Sequence, residues 1–285
     1  MATSANPVDT FVRSGLYVTP VPLPLALGRD IVGRVSSDAA GFKAGEWVWS
    51  NSLGHGGRQG AAVERAVVPA DRLYRKPEGA DPLDVVAMVH PAATAYLALV
   101  THGGLAAGES VLVAGGGGNV GSALIELAVA EGAKVIATAS PRDHDRCLEL
   151  GAAEVFDYRD ENLSAKLASA GPVDLFIDAS GRNDLEAAVG LLAPRGRIVL
   201  LAGARSRPVL PAGDLYMHDR SVVGFAISNA KASELAAAAV TLNRRFAEGG
   251  LRPHRIERRG LSDAADTHRR LEQGEVRGRV VLLTK

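Results

Sequence analysis

The chain has 285 residues, room for about two domains and a substantial core. Hydrophobic residues make up 47% and charged residues 22%, the balance of a folded globular protein and not of a disordered one. Its 32 basic side chains cancel its 32 acidic ones, which leaves no electrostatic footprint for nucleic acid, and one cysteine, Cys147, excludes an internal disulfide or a cysteine cluster for zinc.

The opening MATSANPVDT carries neither a basic start nor an apolar run, so it does not read as a secretory signal. Residues 85–108 lack formal charge, but Pro91, Gly103, Gly104, His90 and His102 interrupt them. That pattern predicts a buried globular segment and not a membrane span. The whole reads as a cytoplasmic enzyme.

The first ninety residues are β-rich in pattern, with apolar runs at 31–35, 47–49 and 66–68 between Gly and Pro punctuation. After Pro91 strand-like runs alternate with helical stretches. The runs are 111–114, 135–139, 154–156, 173–177, 198–202 and 222–225. Val120, Ala123, Leu124, Leu127 and Ala128 recur at helical spacing between the first two. Six strands with intervening helices predict an α/β fold, a doubly wound parallel sheet of Rossmann type. Ser233 is placed to cap a helix running to about Phe246, Ser262 to cap another, and Arg279–Leu283 closes the chain as a strand.

The strongest chemical signal is VLVAGGGGNVGSALIELA, a strand, a glycine turn and a helix in that order. Gly115 permits the tight turn, Gly118 lets backbone approach a pyrophosphate, and Gly121 lets the helix pack closely on the strand. Asn119 and Val120 open the helix, whose N-terminal N–H groups face the phosphates. This predicts dinucleotide binding. A site that prefers NAD places an acid at the end of the second strand, about 20 residues past the glycines. Here that position is Ser140 in VIATASPRDH, with Arg142 two residues on to offer its fork to a 2′-phosphate. The expectation is NADPH, with nearby Asp143 opposing it.

Further segments follow in a fixed order: LPLALGRDIVGRV, GFKAGEWVW, AAVERAVVPADRLYRKPEG, HPAATAYLAL, LGAAEVFDYRD, VDLFIDASG, LAPRGRIVLLAG and LEQGEVRGRVVL. Together with the glycine loop they resemble the medium-chain dehydrogenase/reductase superfamily. Within it they resemble the zinc-independent quinone oxidoreductases related to zeta-crystallin. The resemblance implies a GroES-like barrel from residues 1–91 and 228–285 around a Rossmann domain at 92–227. It also implies a homodimer that pairs the outer strand SVVGFAI across a two-fold axis.

Residue by residue, the resemblance implies that Thr94 lies at the nicotinamide and Tyr158 near the adenosine 2′-phosphate. Ser180 and Gly181 would line the carboxyl edge of the sheet, Gly203 and Phe225 would border the nicotinamide by their backbones, and Arg279 would stand for a lysine near the cofactor. Tyr17 and Asn6 would face the nicotinamide as hydrogen-bond donors. Each has a structural alternative. Thr94 can bond back to its own helix turn, Tyr158 can be a core ring, and Ser180 with Gly181 can simply end a strand. Arg279 can be a surface arginine, Tyr17 a loop cap, and Asn6 an Asx-turn before Pro7.

Two departures qualify the resemblance. Where the zinc-dependent branch has Gly-His-Glu, this chain has Gly28-Arg29-Asp30, so no metal site is expected. The first matched segment, SANPVDTFVRSGLY, normally follows several N-terminal strands, so the barrel is expected to be shortened, with an open sheet edge or an upstream start. The expected activity is NADPH-dependent hydride transfer to a quinone or another α,β-unsaturated carbonyl. The alternatives are an enoyl-thioester reductase and a non-catalytic NADPH-binding protein.

Overall fold

The structure, a computed structural model, describes every residue except Val18, Thr19, Val21, Pro22, Asn183 and Lys285. In chain order the first elements are β1 (Ala2–Ala5), α1 (Pro7–Arg13), β2 (Ile31–Arg34), β3 (Trp47–Ser50), β4 (Tyr74–Arg75) and α2 (Pro82–Tyr96). Next come β5 (Ser110–Ala114), α3 (Asn119–Ala130), β6 (Lys134–Ala139), α4 (His144–Glu149), β7 (Glu154–Asp157), α5 (Leu163–Ser169) and β8 (Val173–Asp178). The remainder is α6 (Leu185–Gly190), β9 (Leu192–Leu200), α7 (Ala212–Met217), β10 (Ser221–Gly224), α8 (Ala232–Ala247), β11 (Ile256–Gly260), α9 (Ala264–Glu272) and β12 (Arg279–Leu283). The chain divides into two compact units, Met1–Ala93 with Ala230–Lys285, and Thr94–Asn229.

The second unit is the expected doubly wound sheet. Its six strands lie in the order β10-β9-β8-β5-β6-β7, all parallel, with the chain reversing direction of travel at β5. Both faces are covered, so the strands are continuously apolar, and Leu112, Ile136, Val173, Leu192 and Ile198 are buried together. One strand departs from its predicted span. β9 begins at Leu192, through a Pro-Arg-Gly triplet that reads as a turn. Arg195 takes a positive φ of 64°, and the pairing with β8 shifts register between Val173 and Leu175, which absorbs the triplet as a bulge.

The first unit holds the other sheet, in the order β11-β12-β1-β2-β3-β4. β1 is the element the sequence hid. Its Ala-Thr-Ser-Ala is too small and polar to signal a strand, yet it pairs with β12 along its length and touches β2 at Ala2. The apolar run at 66–68 forms no ladder. Ala66 and Val68 pack against Ile31, Leu53 and Ala61, but Val67 is 94% exposed and Pro69 follows, so the backbone pairing passes to β4. The helix caps also differ. α8 starts one residue before Ser233, and the Glu234 carboxylate accepts from the Lys231 N–H at 2.8 Å; α9 starts after a short turn in which Asp263 accepts from the Gly260 N–H. The segment Pro82–His102 is long and apolar enough, by length and composition alone, to cross a membrane, and most of it is buried within the protein.

A buried polar network ties the ends of this unit together. Asp30 accepts from Ser4 Oγ at 2.6 Å and Asn6 Nδ2 at 2.8 Å through Oδ2, while its Oδ1 meets His90 Nδ1 at 3.1 Å. Arg279 Nη2 donates to Ser4 Oγ and Asn6 Oδ1, both at 2.8 Å. Thus β1, the start of α1, β2, α2 and β12 share one set of hydrogen bonds. Below it, Asp9 Oδ2 accepts from the Asn6 N–H at 2.8 Å, while its Oδ1 has no partner among the described residues. Burial pushes this carboxyl up to about 7, with the charge of Asp30 adding and the Asn6 N–H, His90 and Arg29 opposing.

The unfolded chain releases the Asp9 proton near the ordinary carboxylate value of 3.8, so between the two values the folded state holds the extra proton. Stability therefore falls as pH rises through that window, by at most about 1.4 kcal/mol per pH unit for this group, and levels off above it. Asp9→Asn keeps an oxygen for the Asn6 N–H and carries no charge. Denaturant titrations from acid to neutral pH should show the variant gaining on the parent as pH rises. Stability curves that stay parallel would contradict this origin for the Asp9 shift.

Candidate functional site

The glycine loop joins β5 to α3, and its shape is set by contacts that only glycine allows. Gly115 has φ of 94°, a backbone region that favours glycine. Its N–H and that of Gly116 both donate to the Thr138 carbonyl, which pins the loop to β6. At Gly121 a Cβ would lie 2.1 Å from the Gly115 carbonyl oxygen and 2.7 Å from Gly116 Cα. The helix rests on the turn with no space for a methyl. Gly118 is different: φ is −79°, and a Cβ there would meet only the Gly115 oxygen, at 3.4 Å. Its open side is where a phosphate can come close to backbone. Asn119 and Val120 open the first turn of α3, whose N-cap is Gly118.

At the end of β6 the strand itself carries no acid, and Asp143, the opposing charge named above, stands in the turn that follows. Asp143 lies in the short turn after Ser140, and its Oδ2 accepts from Ser140 Oγ at 2.5 Å and pairs with Arg142 Nε at 3.4 Å. A Cβ on Gly117 would fall 2.8 Å from this carboxylate. The acid therefore reaches back to the glycine loop from three residues beyond Ser140. Ser140 and Arg142, the two groups expected to hold a 2′-phosphate, both also meet Asp143 Oδ2, Arg142 through Nε alone with its side chain 62% exposed.

Beside the loop is a pocket of about 420 Å³. Gly115, Thr138, Tyr158, Asp178, Ser180 and Arg182 form its polar mouth, and Leu112, Phe176, Leu185 and Leu191 are among the apolar side chains that line its depth. An apolar slot with a polar rim suits a purine ring and its ribose. Tyr158 is 37% exposed, so it is not a core ring; the Arg182 and Arg159 guanidiniums lie over it at 5.2 Å and 5.4 Å. Asp178 organises the rim. Its Oδ1 accepts from Ser180 N, Ser180 Oγ and Gly181 N at 2.9, 2.7 and 3.1 Å. Ser180 thus shapes the loop through its hydroxyl, and Gly181, at φ of 74°, fits against Ala202 and Gly203 of the next strand end. Gly203 itself has φ of 90°. Phe225 stacks on His102 at 4.2 Å, so its ring is fixed, and Thr94 lies half-buried in the last turn of α2. Asp178 and Arg182 were legible as a carboxylate ending a strand before Ser-Gly, and as the arginine that follows.

In the first unit, two expected cofactor or substrate contacts turn out to be structural. Asn6 is 2% exposed and Arg279 is 4% exposed, and the hydrogen bonds described above engage the Asn6 amide and Arg279 Nη2. Neither presents a surface to a ligand, and Arg279 is not the surface arginine of the alternative either. Tyr17 stands apart. Its ring is flanked by His55, edge-on at 6.0 Å, and by the Arg29 guanidinium at 6.0 Å. Its hydroxyl has no hydrogen-bond partner among the described residues. Arg29 is buried, with Nη1 on the Leu53 carbonyl and Nε and Nη2 without a hydrogen-bond partner among the described residues. Burial lowers the His55 pKa, as do the charges of Arg29, Arg58 and Arg72, so the imidazole is neutral at pH 7.

The residues present do not suit zinc. Arg29 occupies the place of a histidine ligand, and Asp30 is committed to Ser4, Asn6 and His90. Cys147 is buried in α4, with its thiol pushed up to about 11 by burial. Among the described residues no group of three His, Cys, Asp or Glu is placed to hold a metal ion. A nicotinamide dinucleotide, by contrast, fits: the glycine cradle, the α3 N-terminus and the adjoining slot match its pyrophosphate and adenosine.

Comparison with known proteins agrees with both halves. Residues 1–78 match the alcohol dehydrogenase GroES-like domain, and residues 119–242 match the family described as zinc-binding dehydrogenase. The human quinone oxidoreductase is 30% identical over 99% of this chain and 87% of its own length. The quinone oxidoreductase of Lama guanicoe is 32% identical over 100% of this chain and 87% of its own. Among solved structures, the Pseudomonas syringae quinone oxidoreductase superposes with a TM-score of 0.85 at 28% identity, covering 99% of this chain and 89% of that one. An NAD-dependent alcohol dehydrogenase superposes at 0.87 with 29% identity, covering 100% and 90%.

The two glycines make opposite predictions. Gly121→Ala should cost at least about 3 kcal/mol of stability, because α3 must lift from β5. Gly118→Ala should fold within about 1 kcal/mol of the parent, yet lose at least tenfold, about 1.4 kcal/mol, in dinucleotide affinity. Thermal melts paired with cofactor-fluorescence titrations separate the two. A Gly121→Ala protein that melts like the parent would contradict the packing account.

Proposed function

Because the chain belongs to the quinone oxidoreductase branch of the medium-chain dehydrogenase/reductase superfamily, and is an NAD(P)H-dependent oxidoreductase, we propose that its acceptor is a quinone or an α,β-unsaturated ketone. The observation that carries this reading is Tyr17. Of the side chains assigned to the acceptor, Asn6 is locked in the Asp30 network, whereas the Tyr17 hydroxyl is uncommitted. A neutral phenol suits acceptors that hydrogen bonding alone can polarise. A saturated ketone or aldehyde relies more on a Lewis acid, and the ligands here do not make a zinc site.

The bound dinucleotide would supply the hydride from its reduced nicotinamide. The protein's part is to hold charge and move a proton. As hydride adds to the acceptor, an electron pair collects on the carbonyl oxygen. Tyr17 donates its hydroxyl hydrogen bond to that oxygen and then its proton, giving an enol or a hydroquinone. Arg29 stands beside the ring at 6.0 Å, and solvent returns the proton to the phenol. Neutral His55 on the opposite edge keeps the ring oriented without competing for the proton.

Tyr17→Phe removes one hydroxyl and keeps the ring. Turnover should drop by about 10² to 10³, as for loss of one oxyanion donor, with dinucleotide affinity unchanged. An enone, which needs its enolate stabilised, should lose more than a quinone. Steady-state kinetics on both acceptor classes is the test. Parent-like turnover in Tyr17→Phe on every acceptor would overturn the assignment, and activity confined to acyl thioesters would move the acceptor class to enoyl thioesters.

A further inference from the structure

The geometry points to Arg29 as the seat of a carboxylate on the acceptor, so that the preferred substrate is an unsaturated ketone or quinone that also bears an acid group. The inference rests on Tyr17 as the donor to the acceptor carbonyl, and it names what the rest of the acceptor carries. Arg29 is 2% exposed, and a buried guanidinium is costly unless its donors are met. Its Nη1 donates to the Leu53 carbonyl at 3.3 Å. Nε and Nη2 have no hydrogen-bond partner among the described residues. These two N–H groups share one edge of the planar guanidinium and point in parallel, and a carboxylate fills such an edge with both its oxygens. A lone carbonyl oxygen fills it less fully.

The acids nearby do not supply that carboxylate. Asp9 and Asp30 lie in the field of Arg29, but neither makes an ion pair with it among the described residues. Both oxygens of Asp30 are taken by Ser4, Asn6 and His90. Asp9 is held by the Asn6 N–H, and burial keeps its proton on up to about 7. Positive charge gathers instead. Burial first, and then the charges of Arg29, Arg58 and Arg72, lower the His55 pKa, so three cations share the surroundings of that ring. Exposed Asp71 is the acid whose charge reaches Arg58. An anion entering here meets more positive charge than negative and is drawn toward the unfilled edge of Arg29. Tyr17 covers the approach. Its ring lies 6.0 Å from Arg29 Cζ, and its hydroxyl has no partner among the described residues. The half-buried side chain can therefore turn aside without breaking a hydrogen bond. A short acceptor then sets its carboxylate on Arg29 and its carbonyl oxygen at the Tyr17 hydroxyl, and two anchors orient the double bond between them.

The experiment compares β-acetylacrylate, a ketone and a carboxylate joined by one double bond, with its methyl ester. The ester is intrinsically the better hydride acceptor, so a preference for the acid must come from the protein. In the parent, kcat/KM should favour the acid by at least about tenfold, chiefly through KM. Arg29→Gln should bring the ratio to one or below, and Arg29→Lys, which keeps the charge without the fork, should lie between. Thermal melts give a readout apart from turnover: levulinate, the saturated acid, should raise the melting temperature of the parent but not of Arg29→Gln, and methyl levulinate should move neither. If Arg29→Gln fails to fold, the parent ratio and the parent melts still decide. Equal use of acid and ester by the parent, or a parent-like ratio in Arg29→Gln, would overturn the inference and leave the acceptor class standing. The opposite failure looks different: no turnover of any enone or quinone, with levulinate still stabilising the parent through Arg29, would overturn the acceptor class and uphold the carboxylate site.

Discussion

The closest approach in the second unit, helix α3 against the turn that precedes it, governs what that unit can do. With Gly121 in van der Waals conflict with any added methyl, α3 starts directly beneath the Gly115 carbonyl and its N-terminal N–H groups converge on the space above Gly118. The loop is pinned from the side by two N–H bonds to Thr138, so its shape does not wait for a ligand. Beside this fixed point lie the rim ordered by Asp178 and the apolar slot. Such preorganisation reduces the ordering cost of binding.

The first unit is held by a different means. Its sheet is small, and its apolar clusters, such as Ile31 with Leu53 and Ala61 or Ala5 with Val280 and Leu282, are modest. Around Asp30 the unit instead buries a charged network that joins strands from opposite ends of the chain. Burying charge costs more than it returns unless every lone pair is met. Both oxygens of Asp30 have partners. Asp9 and Arg29 are less fully met, with Asp9 Oδ1 and two Arg29 nitrogens left without partners among the described residues. Of these two, Arg29 stands 6.0 Å from the Tyr17 ring.

Much of this was legible in the sequence, for reasons that differ by element. The parallel strands announce themselves because both faces are buried, which makes VLVA apolar throughout and VIATA apolar but for Thr138. The glycine loop is legible because its spacing follows from the geometry of a tight turn. β1 is not, since Ala-Thr-Ser-Ala gains its strand identity wholly from pairing with β12, nearly the whole chain away. Asn6 and Arg279 matched their family positions by residue type, but type does not reveal that they bind each other. Asp143 is legible as a nearby charge; that its carboxylate accepts from Ser140 and lies against Gly117 is not. Local patterns carry elements and turns; the partners of buried polar groups are set in three dimensions.

The central claim is that a reduced dinucleotide held on the Gly115–Gly121 loop passes hydride directly to carbon of an unsaturated carbonyl, with the protein supplying the proton. Turnover of an enone with dinucleotide deuterated at C4 of the nicotinamide, followed by mass spectrometry of the product, tests it most directly. With each C4 face labelled in turn, one label should place a single deuterium on the β-carbon and the other none, with hydrogen from solvent at the α-carbon. Oxidation of the dinucleotide with neither label reaching the product would contradict the account.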